Sequence, residues 1–590
     1  MVGPAFDCLA NPLGSVRVLF EKAIESGRNP ASLSRADFTG EVFRRFLFEE
    51  GGLSHVPILD SVNLLGIPPN SLVRFVGMVQ DMFDDEYYVG AFKDGSTWRT
   101  NKYTDVSSLP MGPSSEMHLW DRRLLYCVPV PGQNSWFKAA FTPINSLRGH
   151  SSVVSHQREK RPREPDSMDL EVDGSDPDLA LSSHAKKTRE EGSSCSQSSE
   201  ALESNLADCM SSNFDSSSLP CLVKIYDGPD VDIKLNDIFE FIGVFTFDPE
   251  LVNHNSNHDE LSDALCEDVL AHLPPSKVPR LQCIISRRLA LLDLISTPLG
   301  LQPGQELVKG IREALLQSLT SVLGNDGLAA KYLLLHFLSQ IHTRIEPVAV
   351  GKLSLNLTGF NKKNMGLFGK SLDNAIQCLL PFSDSIPLSI EYLNTTSLAP
   401  KKNYQTNRLV TGALQLAQGT HLTIDETELK AGTLNATGVD NIRILKQFLD
   451  FQRVEYEFEY YKVAMDTDVQ VLVLSEAKSN ILPADLVLPF RPVEVGSYLN
   501  ASSSELEAWR WYLSTLRSHR YHTIDPAMQK VVQDDMVAAR QADRSLGTEE
   551  LSRWLAMARL MSISYGENSL KPEHWQMVKE MEKLRKERLV

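Results

Sequence analysis

The spacing of hydrophobic positions changes several times along this chain, and each change predicts a different kind of element. In the first sixty residues apolar positions recur every three or four, as in Val16-Arg-Val-Leu-Phe-Glu-Lys-Ala and Glu41-Val-Phe-Arg-Arg-Phe-Leu-Phe. That period predicts helices. Alternation replaces it at Ser71-Leu-Val-Arg-Phe-Val-Gly-Met-Val and at Glu86-Tyr-Tyr-Val-Gly-Ala-Phe. It returns at Cys221-Leu-Val-Lys-Ile-Tyr and Asp237-Ile-Phe-Glu-Phe-Ile-Gly-Val-Phe-Thr-Phe. β-Branched and aromatic residues bounded by Gly, Asp and Pro predict strands. Further on, helical stretches at 310–323 and 328–343 precede apolar runs at 348–357, 388–392, 420–424 and 469–474. Helices and strands in alternation predict an α/β core with a largely parallel sheet. Residues 501–590 carry long amphipathic stretches and predict an all-helical domain.

Between the two groups of alternating strands the pattern disappears. Residues 151–220 hold 18 Ser, 14 acidic residues and one aromatic, Phe214. Such a segment buries too little apolar surface to offset its ordering entropy, so it is expected to be a disordered linker. The chain therefore divides into residues 1–150, with the helical region and the first barrel strands, the linker at 151–220, and the rest of the barrel at 221–275. An α/β core at 276–500 and a helical domain at 501–590 complete it. A long insertion between neighbouring strands is tolerated because closure cost grows only logarithmically with loop length. The split barrel is OB-like in outline, although its periodicity fits other small barrels equally well. Within the linker, Lys160, Arg161, Pro162 and Arg163 form an extended cationic cluster. An acidic import receptor recognises such a cluster, which points to the nucleus, and the plainer reading is a few solvated charges.

Charge narrows the possible partners. With 59 Lys and Arg against 76 Asp and Glu, the net charge is −17. Broad, sequence-independent DNA binding requires many cations on phosphates, so direct DNA binding is not expected. No run approaches 18 apolar residues, which argues against a membrane span. The first twenty residues lack the basic and apolar regions of a secretory leader. The cysteines at 8, 127, 195, 209, 221, 266, 283 and 378 never form a C-x2-C pair, so no zinc ribbon or finger is expected and the thiols fit a reducing compartment.

Two segments carry candidate chemistry. Gly324-Asn-Asp-Gly stands at the entrance to a helix, where a phosphate-binding loop places backbone N–H groups towards an anion. Such a loop needs Lys followed by Ser or Thr, and that pair is absent. Taken alone, the segment also reads as a plain loop before a helix. The second segment, Gly412 to Leu429, reads as a short helix, a Gly turn and a strand ending in Asp425 and Glu426. An apolar strand that delivers two carboxylates is the Walker B arrangement, one near magnesium and one activating water.

The pattern Gly412-Ala-Leu-x-Leu-Ala-x-Gly-x5-Asp-Glu resembles the Walker B region of the mini-chromosome maintenance helicases. By the same resemblance Gly324 falls in their Walker A loop, 71–79 and 233–245 resemble strands of their barrel, and 509–589 resembles their helical lid. The whole chain, including the lead-in Pro57-Ile-Leu-Asp-Ser and 324–335, is similar to the mini-chromosome maintenance complex-binding family, a divergent non-helicase group, in its plant form. The resemblance implies a degenerate AAA+-like core. Aligning Gly324, Gly327, Leu333 and Leu334 puts Ala330 at the phosphate-binding Lys and Lys331 at the magnesium-binding hydroxyl. Pro483, in Leu482-Pro-Ala-Asp-Leu, replaces the arginine finger, and Glu476 stands at the sensor Asn. A finger supplies about 10³–10⁵ in rate, so its loss is consequential. The barrel lacks the helicases' zinc cysteines. In the hairpin Gln452-Arg-Val-Glu-Tyr-Glu-Phe-Glu-Tyr-Tyr, Glu455, Glu457 and Glu459 would repel phosphates, and Tyr456, Phe458 and Tyr460 read as strand-core residues.

The resemblance implies a protein with no catalytic residues, cofactor or metal, which associates with helicase subunits in place of a ring member. It implies roles in assembling, stabilising or unloading the complex during DNA replication, indirect chromatin association, and a link to sister-chromatid cohesion. Two other readings stay open at this point. One is an atypical ATPase using Lys331, Asp425 and Glu426; the other is a single-stranded nucleic-acid module working through the barrel.

Overall fold

The computed structural model describes residues 7–34, 38–105, 116–141, 219–226, 232–247, 278–290, 304–519, 521–544 and 546–589. The cluster Lys160, Arg161, Pro162, Arg163 and nearly all of the predicted linker lie outside them. Helices α1 (Pro12–Glu25) and α2 (Gly40–Arg44) open the fold. The Asn11 side chain accepts from the Gly14 N–H and Pro12 sits in the first turn, which together start α1. Its buried face, Val16, Leu19 and Phe20, packs with Tyr88, Trp120 and Ile284 of the strands that follow.

Those strands are β1 (Leu72–Met82), β2 (Glu86–Asp94), β3 (Thr97–Thr100), β4 (Met117–Val128), β5 (Cys221–Ile225), β6 (Ile238–Thr246) and β7 (Arg280–Arg288). Pairing runs β1-β6-β7-β5-β4 and returns to β1, closing a five-stranded ring, while β2 and β3 extend the sheet beyond β4. Every neighbour in the ring is antiparallel except β5 with β7. Strands β4 and β5 pair directly, Cys127 opposite Cys221, although the whole 151–220 segment separates them in sequence. The ring ends later than the sequence suggests. β7 lies past residue 275, because Pro274, Pro275 and Pro279 read as a boundary ahead of a short run whose Leu281, Cys283 and Ile284 are in fact buried.

After α3 (Ser135–Phe141), the chain's second half begins with α4 (Gln305–Val322) and α5 (Gly327–Leu338). Its strands are β8 (Thr343–Ile345), β9 (Val348–Val350), β10 (Leu355–Thr358), β11 (Ser383–Pro387), β12 (Lys401–Asn403), β13 (Arg408–Val410), β14 (His421–Asp425), β15 (Arg453–Glu457), β16 (Lys462–Asp466), β17 (Gln470–Ser475) and β18 (Leu486–Pro489). Five of them form a sheet in the order β11-β14-β17-β10-β18, parallel throughout. β13-β12-β15-β16 form a separate four-stranded sheet. Helices α6 (Lys370–Leu379), α7 (Ile390–Thr395) and α8 (Ala436–Phe451) connect these strands. α9 (Ser503–Arg517), α10 (Pro526–Ala542), α11 (Thr548–Ser564) and α12 (Pro572–Leu589) make a helical layer whose apolar faces share one core with α4, α5, β10 and β18. No helix among the described residues is long and apolar enough to cross a membrane.

Three local expectations change. The run 348–357 is two strands, because Gly351 at φ +105° turns the chain between them. At 388–392 stands the start of α7 rather than a strand, with the Ser389 side chain accepting from the Tyr392 N–H as an N-cap. Residues 412–418 form no helix. Ala413 and Leu414 donate their N–H groups to the carbonyls of Ser397 and Leu398, and the Gln415 N–H closes a single turn on the Gly412 carbonyl.

The barrel is fastened to the α/β unit by buried bonds. Asp81 Oδ2 accepts from the Leu409 N–H (2.7 Å), Gln415 donates to the Gln80 carbonyl (2.9 Å), and Asn134 donates to the Leu380 carbonyl (2.7 Å).

Candidate site at the C-terminal edge of the parallel sheet

In a parallel sheet, ligands bind beyond the carboxyl ends of the strands. Here β10 is followed by Gly359, Phe360 and Asn361, and a helix starts at Lys362, passes through a π turn at Met365–Gly369 and continues as α6. The Gly359 and Phe360 N–H groups donate to the carbonyls of Glu476 and Ser475 (3.0 Å each). Asn361 caps the helix, its side chain accepting from the Asn364 N–H (2.9 Å), and Asn364 in turn donates to the Gly359 carbonyl (2.8 Å). Lys362 reaches Glu428 (3.1 Å).

Asp425 ends β14, and Glu426 follows. They lie one strand away from β10, across β17. Asp425 Oδ1 accepts from both the Thr427 N–H (2.9 Å) and its hydroxyl (2.6 Å), so the carboxylate closes its own turn. Glu426 accepts from the Ser479 hydroxyl (3.0 Å), and its other oxygen is buried without a protein partner. Burial raises its pKa, and the Ser479 hydrogen bond opposes that only in part. Asn356, inside β10, donates to the Ser475 hydroxyl (2.7 Å) and completes a polar row across the strand ends.

The Gly324 segment occupies a different position from the one its motif suggests. A phosphate loop joins a strand to a helix, whereas Gly324 follows α4 and leads into α5. At this helix N-terminus the anion is the protein's own. Asp326 is 2% exposed; Oδ1 accepts from the Ala329 N–H (3.0 Å), and Oδ2 from the Arg491 N–H (2.9 Å). Arg588, in the last turn of α12, grips both oxygens (2.7 and 2.9 Å). The chain after β18 then crosses the loop, with Val493 donating to the Gly324 carbonyl (2.8 Å). Gly327 begins α5, Ala330 is fully buried within it, and Lys331 points outward on its exposed face. Neither residue meets Asp425 or Glu426.

Pro483 lies in the loop between β17 and β18, beside Leu482, which is buried in the core that β11 and β14 share, and Glu476 is exposed. In the β15–β16 hairpin, Glu455 pairs with Arg443 (3.0 Å) and Glu457 with Lys401 (3.2 Å). Tyr456 is buried and Phe458 half-buried, but Tyr460, expected in the core, is 86% exposed because strand pairing ends at Glu457 and Lys462. On the barrel, Arg74 (2.6 Å) and Arg287 (2.8 Å) both hold the fully buried Glu240, and Arg288 holds Asp237. Arg122 and Lys224 converge on Glu86 (2.6 and 3.3 Å). Burial works against that carboxylate, and the two cations outweigh it and lower its pKa. Among the described residues no group of three or more His, Cys, Asp or Glu is placed to hold a metal.

The sequence reading missed Asn356, Asn361, Lys362, Ser479, Asp326 and Arg588. One signal was legible: Leu355-Asn-Leu-Thr-Gly-Phe-Asn-Lys-Lys is an apolar strand ending in Gly ahead of a capping residue and a basic pair.

Comparison with known proteins places this arrangement. The model of the mini-chromosome maintenance replisome factors matches residues 43–589. The mini-chromosome maintenance complex-binding protein of Arabidopsis thaliana is 50% identical over 595 residues, covering 100% of both chains. Its counterpart in Salmo salar is 34% identical, covering 99% of this chain and 97% of its own. The Homo sapiens counterpart is 33% identical, covering 99% and 98%. With a match that runs from α2 to the end of α12, through the barrel, the parallel sheet and the helical layer alike, the chain belongs to the family of mini-chromosome maintenance replisome factors.

Proposed function

We propose that this chain is a non-catalytic binding partner of the mini-chromosome maintenance complex, shaped like a helicase subunit and seated beside helicase subunits as a ring member would be. The names of its relatives support complex binding. The five-stranded order, with the central β17 between the carboxylate strand β14 and β10, fits a degenerate AAA+-like core. The closed ring with its single parallel pair fits an OB-like barrel.

One observation carries the non-catalytic part. A working phosphate loop has the form G-x4-G-K-[ST], long enough to wrap a triphosphate. Here two residues separate Gly359 from Lys362, no Ser or Thr follows the lysines, and Asn361 already caps the helix. Asp425 and Glu426 would then face a triphosphate with too little positive charge to offset the repulsion. The barrel's Arg74, Arg122, Lys224, Arg287 and Arg288 are engaged by carboxylates of the same barrel, which speaks against direct DNA binding through it. The same reading extends to assembly, stabilisation or unloading of the complex in S phase, to indirect chromatin association and a link with sister-chromatid cohesion, and to a nuclear location through Lys160–Arg163.

Titration of the purified chain with magnesium ATP tests this reading. No saturable binding and no turnover are expected. Turnover that disappears in the Asp425→Asn, Glu426→Gln double variant would overturn it.

A further inference from the structure

An open hollow of about 370 Å³ lies in the C-terminal helical layer, between α11 and α12. Trp554 of α11 faces it, and Lys579, Glu582, Lys583, Lys586 and Glu587 of α12 line it. Glu582 brings no free charge to the hollow. It is 1% exposed and accepts from Arg585 (2.9 Å), Tyr332 (2.9 Å) and the Trp554 indole (3.1 Å). The remaining wall is cationic: the three lysines, at i, i+4 and i+7, share one helix face, against the single exposed carboxylate of Glu587.

The protein itself shows what this stripe recognises. Lys579 pairs with Asp535 (2.7 Å), midway along α10, and Lys586 with Asp543 (3.5 Å), the residue that caps its C-terminus eight positions later. Eight residues span about 12 Å of helix, close to the roughly 10.5 Å between Lys579 and Lys586. Lys583 stands between these pairs, exposed, and among the described residues no carboxylate lies within ion-pair distance of it. An apolar hollow beside an unmatched cation, on a stripe that already pairs with carboxylates of a neighbouring helix and its C-cap, is complementary to one kind of ligand.

We propose that this hollow docks an acidic amphipathic helical segment of a partner protein. An apolar side chain of the segment covers Trp554, and a carboxylate on the same face pairs with Lys583. The proposal does not depend on the absence of nucleotide chemistry, and it concerns a different part of the molecule from the sheet edge. A nucleic acid fits the site poorly, because two of the three lysines are already neutralised and the hollow between them is apolar.

The test uses the full chain and a fluorescein-labelled peptide with four Glu-Glu-Leu-Leu repeats, with Lys-Lys-Leu-Leu repeats as the control. The acidic peptide should bind saturably and more weakly as salt rises. Lys583→Glu, at an exposed position, should weaken it about tenfold. In the wild type, bound peptide should lower the amine-labelling of Lys583 while leaving that of Lys478, exposed in the loop after β17, unchanged. Equal affinity in the Lys583→Glu variant, equally tight binding of the lysine peptide, or unaltered labelling of Lys583 would each overturn the proposal.

Discussion

His336 and His421 meet in the interior with their Nε2 atoms 3.1 Å apart, both fully buried. The Leu353 carbonyl accepts from His336 Nδ1 (2.7 Å), which fixes the proton there and leaves Nε2 to accept from His421. Burial depresses both pKa values, that of His336 to about 4, and the nearby Arg517 guanidinium pushes the same way. Both imidazoles are therefore neutral in the folded state near neutral pH. The unfolded state binds a proton near pH 6.5 that the folded state refuses until about pH 4, so stability is full above 6.5 and declines as pH falls through that window. The loss from His336 alone should be on the order of 3 kcal/mol. Urea denaturation at pH 7.5 and pH 4.5 measures it, and His336→Gln should flatten the dependence. The sequence showed none of this, because the two residues lie far apart in it and only the packing of α5 against β14 brings them together. Asp326 was hidden in the same way: its role depends on Arg588, in the last turn of α12 in the helical layer.

At the scale of elements, the edges of the parallel sheet are closed off. An open edge strand offers its unpaired backbone groups to other chains. On β18 and the residue just before it, alternate outward carbonyls are taken by arginines of the helical layer: Asp485 by Arg553 (3.0 Å), Val487 by Arg585 (3.1 Å) and Pro489 by Arg588 (3.1 Å). On β11, at the other edge, Ser385 donates to the Asp384 carboxylate and Pro387 has no N–H to offer. Arg585→Ala should destabilise the fold by about 3 kcal/mol, since it also leaves Glu582 buried without its main counter-charge. It should promote self-association as well, and denaturant titration together with light scattering checks both. Strands with continuous apolar runs, such as β14 and β17, were legible in the sequence. The Gly324 loop was open to two readings because Gly and Asn ahead of a helix look alike in sequence whether a strand or another helix precedes them, and a helix does.

The order of parts along the whole molecule was readable from composition and period: helices, barrel strands, a Ser-rich acidic segment, an α/β unit and a helical end. Its closure was not, because β4 and β5 pair across 151–220 and β7 follows a proline-rich stretch, so neighbours in space are distant in sequence. The basic cluster in that segment gives a prediction at this scale. A fluorescent fusion with Lys160, Arg161 and Arg163 changed to Ala should lose most of its nuclear accumulation while keeping wild-type stability. An equally nuclear variant would move the signal elsewhere.

The central claim is that this chain binds helicase subunits without nucleotide chemistry, and one measurement addresses it directly. The full chain is used to capture helicase subunits from nuclear extract after nuclease treatment and nucleotide depletion, side by side with the Asp425→Ala, Glu426→Ala variant, and the captured subunits are quantified by mass spectrometry. Equal recovery by both proteins, without ATP or DNA, is the predicted result. Recovery that requires added ATP, or that disappears in a variant with an unchanged circular dichroism spectrum, would contradict the account.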